Sequence, residues 1–397
     1  MTGVGTEVEL AIGPVGHGGF CVARHEGRVV FVRHALPGER VRAVVTEDRG
    51  GSYCRADAVA VLDGAAGRVA PPCPASGPGG CGGCDLQHVD RAVQRELKAK
   101  VVAEQLHRIA GLDIAVTVEE LPGGPLGWRT RTRLAVDAKG RPGFRAYRSH
   151  TVVPVAACPL AVPGSLEAVL ARRWRPGAEL EVVADDAGQV QVAQLRPGRP
   201  PSQVRGSGRI VRHAAGRRWE LSAHGFWQVH PAAADALAGL VADFAAAPRG
   251  GTAWDLYGGV GLFASVLAGQ VGAAGSVTVV DTSRRAATDG AAALADLAQV
   301  SFVTRRVERA LAELPGQPDV VVLDPPRRGA GRPVAAAVAG RRPARIVHLA
   351  CDPAALARDV AAYLEGGYRL LALRALDAFP MTHHVECVAA LALVRPP

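Results

Sequence analysis

The C-terminal part of the chain, from about residue 226, alternates between short runs of β-branched and aliphatic residues and longer alanine-rich stretches. The runs have the length and composition of buried strands, and the stretches between them are long enough for helices. Because strands that alternate with helices form parallel sheets, this pattern predicts a doubly wound α/β domain with its binding site at the strands' carboxyl ends. The candidate strands are GTAWDLY, SVTVVD, DVVVLDPP, ARIVHLACDP and YRLLALRALDAF.

The N-terminal part of the chain has a different organisation. Residues 5–62 contain several short β-branched runs that are broken by Gly, Pro and an Asp-Arg-Gly turn. Strands of this length and spacing predict a small closed, OB-like β-barrel. Barrels of this size often bind oligonucleotides, although a fold alone does not establish a function.

Four cysteines stand between these two regions in an uneven array. Cys73, Cys81 and Cys84 lie in the glycine-rich stretch PCPASGPGGCGGCDLQH, and Cys158 follows in ACPL. Thiolates are soft ligands, and four of them suit an iron–sulfur cluster or a zinc ion. The spacing does not decide between the two.

The other cysteines and the overall composition indicate an intracellular protein. The start of the chain lacks a signal peptide, and no apolar run is long enough to cross a membrane. We therefore expect a cytoplasmic protein without disulfides, in which Cys21, Cys54 and Cys387 are small core residues. We also expect a monomer, because no exposed apolar helix stands out.

The net charge of +9 favours an acidic partner, and nucleic acid is the common one. Residues 128–148 concentrate this charge, with arginines alternating along candidate strands and with Trp128, Phe144 and Tyr147 between them. Such a face can bind RNA phosphates and stack on unpaired bases, although a solvated strand face is the alternative. Its basic residues are Arg129, Arg131, Arg133, Lys139, Arg141, Arg145 and Arg148.

Two further stretches have a clear local signature. Residues 91–110 predict a helix whose apolar stripe includes Leu97 and Val101 and which ends at Gly111. Residues 196–208, RPGRPPSQVRGSG, predict a flexible loop.

The first βα turn of the C-terminal domain, DLYGGVGLFA, has the glycines that let a nucleoside approach the backbone. The second strand ends at Asp281, whose carboxylate can accept hydrogen bonds from ribose hydroxyls. The fourth strand ends in DPPRRG, where Pro325 and Pro326 form a rigid rim that holds Asp324 at the cleft. The turn lacks the G-x-G-x-x-G pattern, which disfavours NAD as the ligand.

Two residues near the C-terminus predict a nucleophile and a base. Cys351 ends the fifth strand, just before a helix N-terminus, and that position is expected to lower the thiol pKa. Glu386 is an isolated acid in the apolar stretch HVECVAALAL. Burying a carboxyl group there costs free energy unless the group has a hydrogen-bonding partner, so its presence indicates a partner or a catalytic role. The alternative for Cys351 is a small apolar residue of the core, and the alternative for Glu386 is a buried acid whose hydrogen bonds are satisfied by the structure around it.

Together these motifs resemble the class I RNA uracil-5-methyltransferases, which include the tRNA T-loop enzyme and the 23S rRNA enzymes. The terminal stretch DAFPMTHHVE is the most specific match, and GGCGGCDLQH with ACPL resembles the 4Fe–4S ligands of the rRNA branch. The resemblance implies a TRAM barrel at residues 1–62, a central iron–sulfur α+β domain at 63–225 and a Rossmann-like methyltransferase domain at 226–397.

The resemblance also implies roles for individual residues. Cys351 is expected to add to carbon 6 of uracil as the nucleophile, and Glu386 is expected to remove the proton from carbon 5. S-adenosylmethionine is the implied methyl donor, and the 4Fe–4S cluster is the implied ligand of the four cysteines, with zinc as the runner-up. The implied cofactor contacts are Gln228, Tyr257, Asp281 and Asp324; no adenine contact is assigned.

The expected activity is therefore methylation of a uridine in RNA, with rRNA favoured over tRNA because the tRNA branch lacks the cluster cysteines. An RNA cytosine-5-methyltransferase is the first alternative, since it shares the thiolate chemistry. A non-catalytic RNA-binding iron–sulfur sensor is the second. That sensor would need the barrel and the cysteines but not Cys351, Glu386 or Asp324.

Overall fold

The computed structural model describes residues 3–314 and 316–394. The N-terminal strands form a sheet in the order β1-β5-β6-β4-β3-β2. Since β1 leads directly into β2, the two edges of this sheet meet and the barrel closes. Cys21 and Cys54 lie in its core, as predicted. The strands are β1 (Glu7–Ala11), β2 (Val15–Gly16), β3 (Phe20–His25), β4 (Arg28–Arg33), β5 (Arg40–Asp48) and β6 (Tyr53–Asp63).

The middle of the chain begins with the predicted helix, α1 (Arg91–Ala110), which is followed by β7 (Val118–Glu120). Asp90 caps the first turn of α1 and Gly111 ends the helix at a φ of 67°, in the left-handed region that glycine tolerates. A sheet in the order β10-β9-β8-β11-β12-β13 follows, and a separate hairpin joins β14 to β15. The elements are β8 (Arg131–Val136), β9 (Pro142–Arg145), β10 (Val152–Pro154), α2 (Glu167–Leu170), β11 (Glu179–Ala184), β12 (Val190–Arg196), β13 (Arg199–Arg205), β14 (Arg209–Ala214) and β15 (Arg217–Ser222).

The prediction of a flexible loop at residues 196–208 is wrong, because β13 pairs with β12 there. Pro200 and Pro201 fit this strand since it is the exposed edge of its sheet, where a missing N–H donor does no harm.

The C-terminal elements alternate between strand and helix, as the sequence pattern predicts. All five predicted strands are present. The elements are α3 (Ala233–Ala245), β16 (Thr252–Leu256), α4 (Leu262–Val271), β17 (Ser276–Asp281), α5 (Arg284–Ala293), β18 (Val300–Thr304), α6 (Val307–Glu313), β19 (Val320–Leu323), α7 (Arg332–Gly340), β20 (Arg345–Ala350), α8 (Pro353–Glu365), β21 (Tyr368–Asp377) and β22 (Glu386–Leu393).

These strands form a sheet in the order β18-β17-β16-β19-β20-β22-β21-β7. Strands β16 to β20 are parallel to one another, and β22 runs antiparallel to both of its neighbours. One core lies on each face of the sheet, with α3 and α4 on one side and α1, α7 and α8 on the other. The fold is therefore doubly wound, with an N-terminal β domain. No helix that the structure describes is long and apolar enough to cross a membrane.

The segment predicted as the central domain, residues 63–225, is divided in space. Helix α1 packs against α8, and β7 extends the C-terminal sheet beside β21. The β14–β15 hairpin contributes Trp219 to the core under α3. Sequence order does not reveal the packing of α1 and β7, because their partners α8 and β21 lie more than 200 residues away in the chain.

Candidate active site

The carboxyl ends of the parallel strands open into a cleft of about 1110 Å³. The cleft also borders the strand β8 and the segment that carries Cys73, Cys81 and Cys84, residues 71–88, which we call the cysteine loop. This is the edge at which ligands bind in doubly wound sheets. The structure brings all six predicted cofactor and catalytic residues together at this cleft: Gln228, Tyr257, Asp281, Asp324, Cys351 and Glu386.

The glycine turn after β16 approaches its surroundings too closely for a side chain. A Cβ atom on Gly258 would lie 2.7 Å from Cγ of Asp255 and from a methyl group of Val279. Asp255 is fully buried, accepts a hydrogen bond from the N–H of Ala264 at 2.9 Å, and has its pKa raised to about 8 by burial. Its neutral carboxyl group therefore fixes the turn that leads into α4.

Asp281 ends β17 and turns its carboxylate towards the same turn. One oxygen accepts a hydrogen bond from the N–H of Gly259 at 3.1 Å, and the other accepts one from Ser283 at 2.8 Å. These bonds hold the carboxylate at the cleft wall. Arg306, which precedes α6, and Glu308, in the first turn of α6, also line the cleft, and the sequence analysis assigned neither of them.

Asp324 and Glu386 form an acidic pair in the floor of the cleft. Removal from water raises the pKa of both carboxyl groups, and the charge of Asp324 raises the pKa of Glu386 further. Two carboxyl groups in one poorly hydrated site cannot both ionise readily, so the pair holds a proton at neutral pH. Arg327 and Arg328, which follow the two prolines, also line this part of the cleft.

Cys351 lies immediately after β20 at the cleft, but its predicted low pKa is wrong. Burial, together with the charge of Glu386, raises the pKa of the thiol to about 12. The N-terminus of α8 does not compensate, because the carboxylate of Asp352 accepts the N–H of Ala355 at 2.8 Å and adds a negative charge. The sequence placed the thiol beside a helix but could not show that the helix end is already capped.

The terminal stretch 377–386 is held by contacts to the helix α1 and the cysteine loop. Lys98 donates hydrogen bonds to Asp377 at 2.6 Å and to the carbonyl of Phe379 at 3.1 Å, and this pair is almost completely buried. His383 contacts Asp85 at 2.6 Å. These contacts fix the loop that ends at Glu386.

The loop also depends on Gln94, whose side-chain oxygen accepts the N–H of Met381 at 2.9 Å. Met381 has a φ of 66°, which is unusual for a residue with a side chain. Its carbonyl accepts hydrogen bonds from the N–H groups of Asp85 and Leu86. The residues after the cysteine array therefore contact the loop that carries Glu386.

The predicted metal-ligating cysteines lie around a common small cavity. Cys73, Cys81, Cys84 and Cys158 all line it. The amide of Gln87 donates to the sulfur of Cys84 at 3.0 Å, and the N–H of Gly83 donates to Cys81 at 3.4 Å. Across residues 3–314 and 316–394, no group of three or more His, Cys, Asp or Glu side chains converges as a site for a metal ion.

The predicted basic strands line the cleft only in part. Arg129, Arg131 and Arg133 border it, but Arg131 is half-buried and pairs with the buried Glu181 at 2.9 Å. Trp128 is 3% exposed, so it belongs to the core rather than to a stacking surface. Burial against neighbouring elements, which strand alternation does not reveal, accounts for both differences.

The exposed aromatic residue at the cleft is Phe226, which is 71% exposed. It precedes Gln228 in GFWQVH, so the same motif holds one residue that the sequence reading assigned and one that it passed over. Its neighbour Trp227 packs inward against Trp219. The alternation of the two aromatics was the signal that could have identified Phe226 as surface.

Comparison with known families gives two matches along the chain. Residues 2–59 match the TRAM domain, and residues 254–394 match the tRNA (Uracil-5-)-methyltransferase family. An uncharacterized RNA methyltransferase of Streptomyces avermitilis is 43% identical over 98% of this chain and 98% of its own length. The 23S rRNA (uracil(1939)-C(5))-methyltransferase RlmD of Alkalilimnicola ehrlichii is 34% identical over 96% of this chain and 95% of its own length.

The whole fold is similar to that of a solved protein. The Pyrococcus abyssi tRNA (uracil-54, C5)-methyltransferase, in complex with S-adenosyl-L-homocysteine, superposes with a TM-score of 0.72. The match covers 97% of this chain and 100% of that one at 22% sequence identity. The barrel, the middle region and the doubly wound domain therefore share one arrangement with a solved protein.

Proposed function

Because the chain belongs to the S-adenosylmethionine-dependent RNA (uracil-5-)-methyltransferases, we propose that it methylates carbon 5 of a uridine in ribosomal RNA. The observation that carries this proposal is the presence of Cys351 and Glu386 in the same cleft as Asp281 and Asp324. A thiol, a carboxyl pair and a nucleoside-type turn at one sheet edge are what a covalent base methylation requires.

The residues at the glycine turn fit a nucleoside cofactor. The carboxylate of Asp281 is fixed by two backbone N–H groups and can accept hydrogen bonds from ribose hydroxyls. Tyr257, Gln228 and Asp324 are the other proposed contacts. When bound, S-adenosylmethionine supplies an electrophilic methyl group.

The chain's own residues supply the activation of the base. The sulfur of Cys351 forms a bond to carbon 6 of uracil, which turns the ring into an enolate and makes carbon 5 nucleophilic. Once carbon 5 carries the methyl group, Glu386 removes the proton from the same carbon. The electron pair of that C–H bond re-forms the ring double bond and expels the thiolate, so the nucleophile is regenerated.

The protonation states of the free site set a condition on this chemistry. The Cys351 thiol is protonated at neutral pH because burial raises its pKa, whereas the Asp324–Glu386 pair holds one proton. Glu386 can therefore act as the base when that proton resides on Asp324. The neutral thiol must release its proton to solvent when the uracil enters the cleft, before the sulfur bonds to carbon 6. We propose that Arg327, whose charge favours the thiolate, assists this step.

We also propose that the four cysteines bind a 4Fe–4S cluster, with zinc as the less favoured ligand. The support is that all four line one cavity and that N–H donors point at two of the sulfurs, as they do around bound clusters. The cluster lies outside the sheet edge, so its proposed role is to hold the loop that contacts residues 377–386.

Ribosomal RNA is preferred to tRNA as the substrate on two grounds, the cysteine array and the activity for which the Alkalilimnicola ehrlichii relative is named. The target base is expected to be flipped from a loop or a single strand, because the thiol lies inside the cleft. A monomeric state and a cytoplasmic location stay predictions from the sequence.

A methylation assay tests the proposed function. The anaerobically purified protein is incubated with methyl-labelled S-adenosylmethionine and total RNA that lacks modifications, and the labelled nucleoside and RNA size fraction are identified. Label in 5-methyluridine of the rRNA fraction is the expected result. Label in 5-methylcytidine would move the protein to the cytosine-5 class, and tight RNA binding without label would favour the sensor.

A further inference from the structure

A small cavity of about 20 Å³ adjoins Cys351, separate from the main cleft. The barrel loop 15–19, the helix α1 and residues 352–353 at the start of α8 enclose it. Cys351, His383 and His384 line both the cavity and the cleft, so these three side chains form the boundary between them. Since a water molecule needs about 10–15 Å³, the cavity has room for one. The proposed methylation steps assign no role to this cavity.

A buried carboxylate orients His383 at this boundary. Nδ1 of His383 lies 2.6 Å from Oδ2 of Asp85, and the backbone N–H of His383 donates to the same oxygen at 3.2 Å. The other oxygen of Asp85 lies 3.4 Å from the guanidinium group of Arg33. When a carboxylate accepts the proton of Nδ1, the neutral ring has no proton on Nε2, and that nitrogen becomes more basic. Nε2 of His383 can therefore take up a proton.

The second histidine of the boundary is a much weaker base. Burial, together with the charges of His383 and Arg327, lowers the pKa of His384 to about 3. The side chain of His383 is 29% exposed, so a proton that reaches this ring can pass on to solvent. Of the two histidines that border both spaces, His383 is the one suited to proton transfer.

The other charged groups around the cavity are already paired. Nζ of Lys98 lies 2.6 Å from Asp377, and an ammonium group in such a pair has no free lone pair to accept a proton. Nε2 of His17 lies 2.9 Å from Asp352, and His17 lines the cavity but not its boundary with the cleft. Neither residue competes with His383 for a proton that leaves the thiol.

We propose that His383, oriented by Asp85, accepts the proton of the Cys351 thiol through a water molecule in this cavity. A nucleophile, an imidazole base and a carboxylate that orients the base form the arrangement that activates nucleophilic side chains on unrelated folds. The inference rests on the proposed function for the identity of the nucleophile, and it deepens that function by assigning the group that activates it.

The proton transfer is balanced over the catalytic cycle. The S–H bond of Cys351 breaks and its electron pair stays on sulfur, while the proton passes to the water and the water gives a proton to Nε2 of His383. The thiolate then bonds to carbon 6 of the uracil. After Glu386 has removed the proton from carbon 5 and the thiolate has been expelled, the imidazolium returns its proton to the sulfur by the same route.

The test measures the rate of covalent adduct formation with RNA that contains 5-fluorouridine, in the presence of S-adenosylmethionine. Fluorine cannot leave carbon 5 as a cation, so the adduct persists and its formation does not include the step assigned to Glu386. His383→Gln keeps an N–H donor for Asp85 but has no base, so this rate should fall by about 10²-fold at neutral pH.

The pH dependence separates proton transfer from a structural role. In the wild type the rate should fall towards acid pH, because an imidazole that is already protonated cannot accept the thiol proton. In His383→Gln hydroxide has to remove that proton, so the rate should rise about tenfold per pH unit. Added imidazole should restore part of the rate of His383→Ala, because it supplies a base without restoring the contact with Asp85.

His107→Gln is the matched control, since Nδ1 of His107 also lies 2.6 Å from a carboxylate, that of Asp113, on the exposed end of α1. It should leave the rate and the pH profile unchanged. A wild-type rate and profile in His383→Gln would overturn the inference alone. A slow His383→Gln with the wild-type profile, and without rescue of His383→Ala by imidazole, would do the same and mark the residue as structural. No adduct in the wild type would overturn the proposed function and this inference with it.

Discussion

Nε2 of His17, in the loop after β2 of the barrel, lies 2.9 Å from a carboxylate oxygen of Asp352, the residue that follows the cysteine of the active site. The other oxygen of Asp352 caps α8. Gly19 packs beside this contact, where a Cβ atom would lie 2.8 Å from Cβ of His383. The barrel therefore packs directly against the residues next to Cys351.

This contact predicts that His17 positions the nucleophile. His17→Ala should lower kcat roughly fivefold, since a partly exposed hydrogen bond to a carboxylate contributes about 1 kcal/mol. RNA affinity should stay unchanged, and His17→Gln, which keeps an N–H donor, should restore most of the rate. His25→Ala in the same barrel serves as the control. A rise in KM with an unchanged kcat would show that His17 acts in RNA binding instead.

Replacement of the proposed base should trap the covalent adduct. Glu386→Gln should lower turnover by about 10²- to 10⁴-fold, because the proton at carbon 5 then has no acceptor. The protein–RNA adduct should accumulate and be visible as a species that resists denaturant in a gel or by mass. Cys351→Ala should abolish both turnover and adduct, whereas Glu104→Gln, on the exposed face of α1, should behave as wild type. An adduct that persists in Cys351→Ala would assign the nucleophile to another residue.

Much of the fold could be predicted because its signals are local. Strand alternation, the glycine turn and the DPP rim follow from short stretches of sequence, and the two families matched along the chain agree with that reading. The inner face of α1 could not be predicted in the same way. Gln94 and Lys98 are buried there by contacts with Met381 and Asp377. These partners lie more than 270 residues away in the chain, so the sequence around α1 gives no sign of the burial.

The active site likewise has features that local sequence predicts and features that depend on contacts in the folded chain. The six assigned residues come from motifs at strand ends, and the topology of the sheet brings those ends to one cleft. The protonation state of Cys351 was predicted with the wrong sign, because it depends on burial and on the charge of Glu386 rather than on neighbours in sequence. Phe226 is different, because its exposure follows from its neighbour Trp227 packing in the core, and that alternation is present in the sequence.

The raised pKa of Cys351 can be tested by its reaction with iodoacetamide. Burial and the charge of Glu386 raise the thiol pKa to about 12, so the thiolate fraction and the alkylation rate should still be increasing well above pH 9. Site-resolved mass spectrometry separates this cysteine from the others. Glu386→Gln removes the neighbouring charge and should move the curve to lower pH. Half-maximal alkylation near pH 8.5 in the wild type would contradict the structure.

The cysteine array predicts a measurable iron content. Anaerobically purified protein should contain about four iron and four sulfide per chain, and Cys84→Ser should lose most of both. Cys54→Ser, in the core of the barrel, is the matched control for a buried thiol and should keep them. One zinc per chain without sulfide would assign the array to zinc.

Breaking the buried pair of Lys98 and Asp377 should strongly destabilise the C-terminal domain. Their side chains are 2% and 5% exposed, and removing one partner leaves an uncompensated buried charge. Lys98→Ala is therefore expected to lower the free energy of unfolding in urea by about 3–5 kcal/mol. The double variant Lys98→Met, Asp377→Leu should recover much of this loss, because it removes both charges and keeps apolar volume. Lys100 is exposed on the same helix, so Lys100→Ala should have little effect on the free energy of unfolding. Equal free energies of unfolding for Lys98→Ala and Lys100→Ala would show that the pair is not buried in solution.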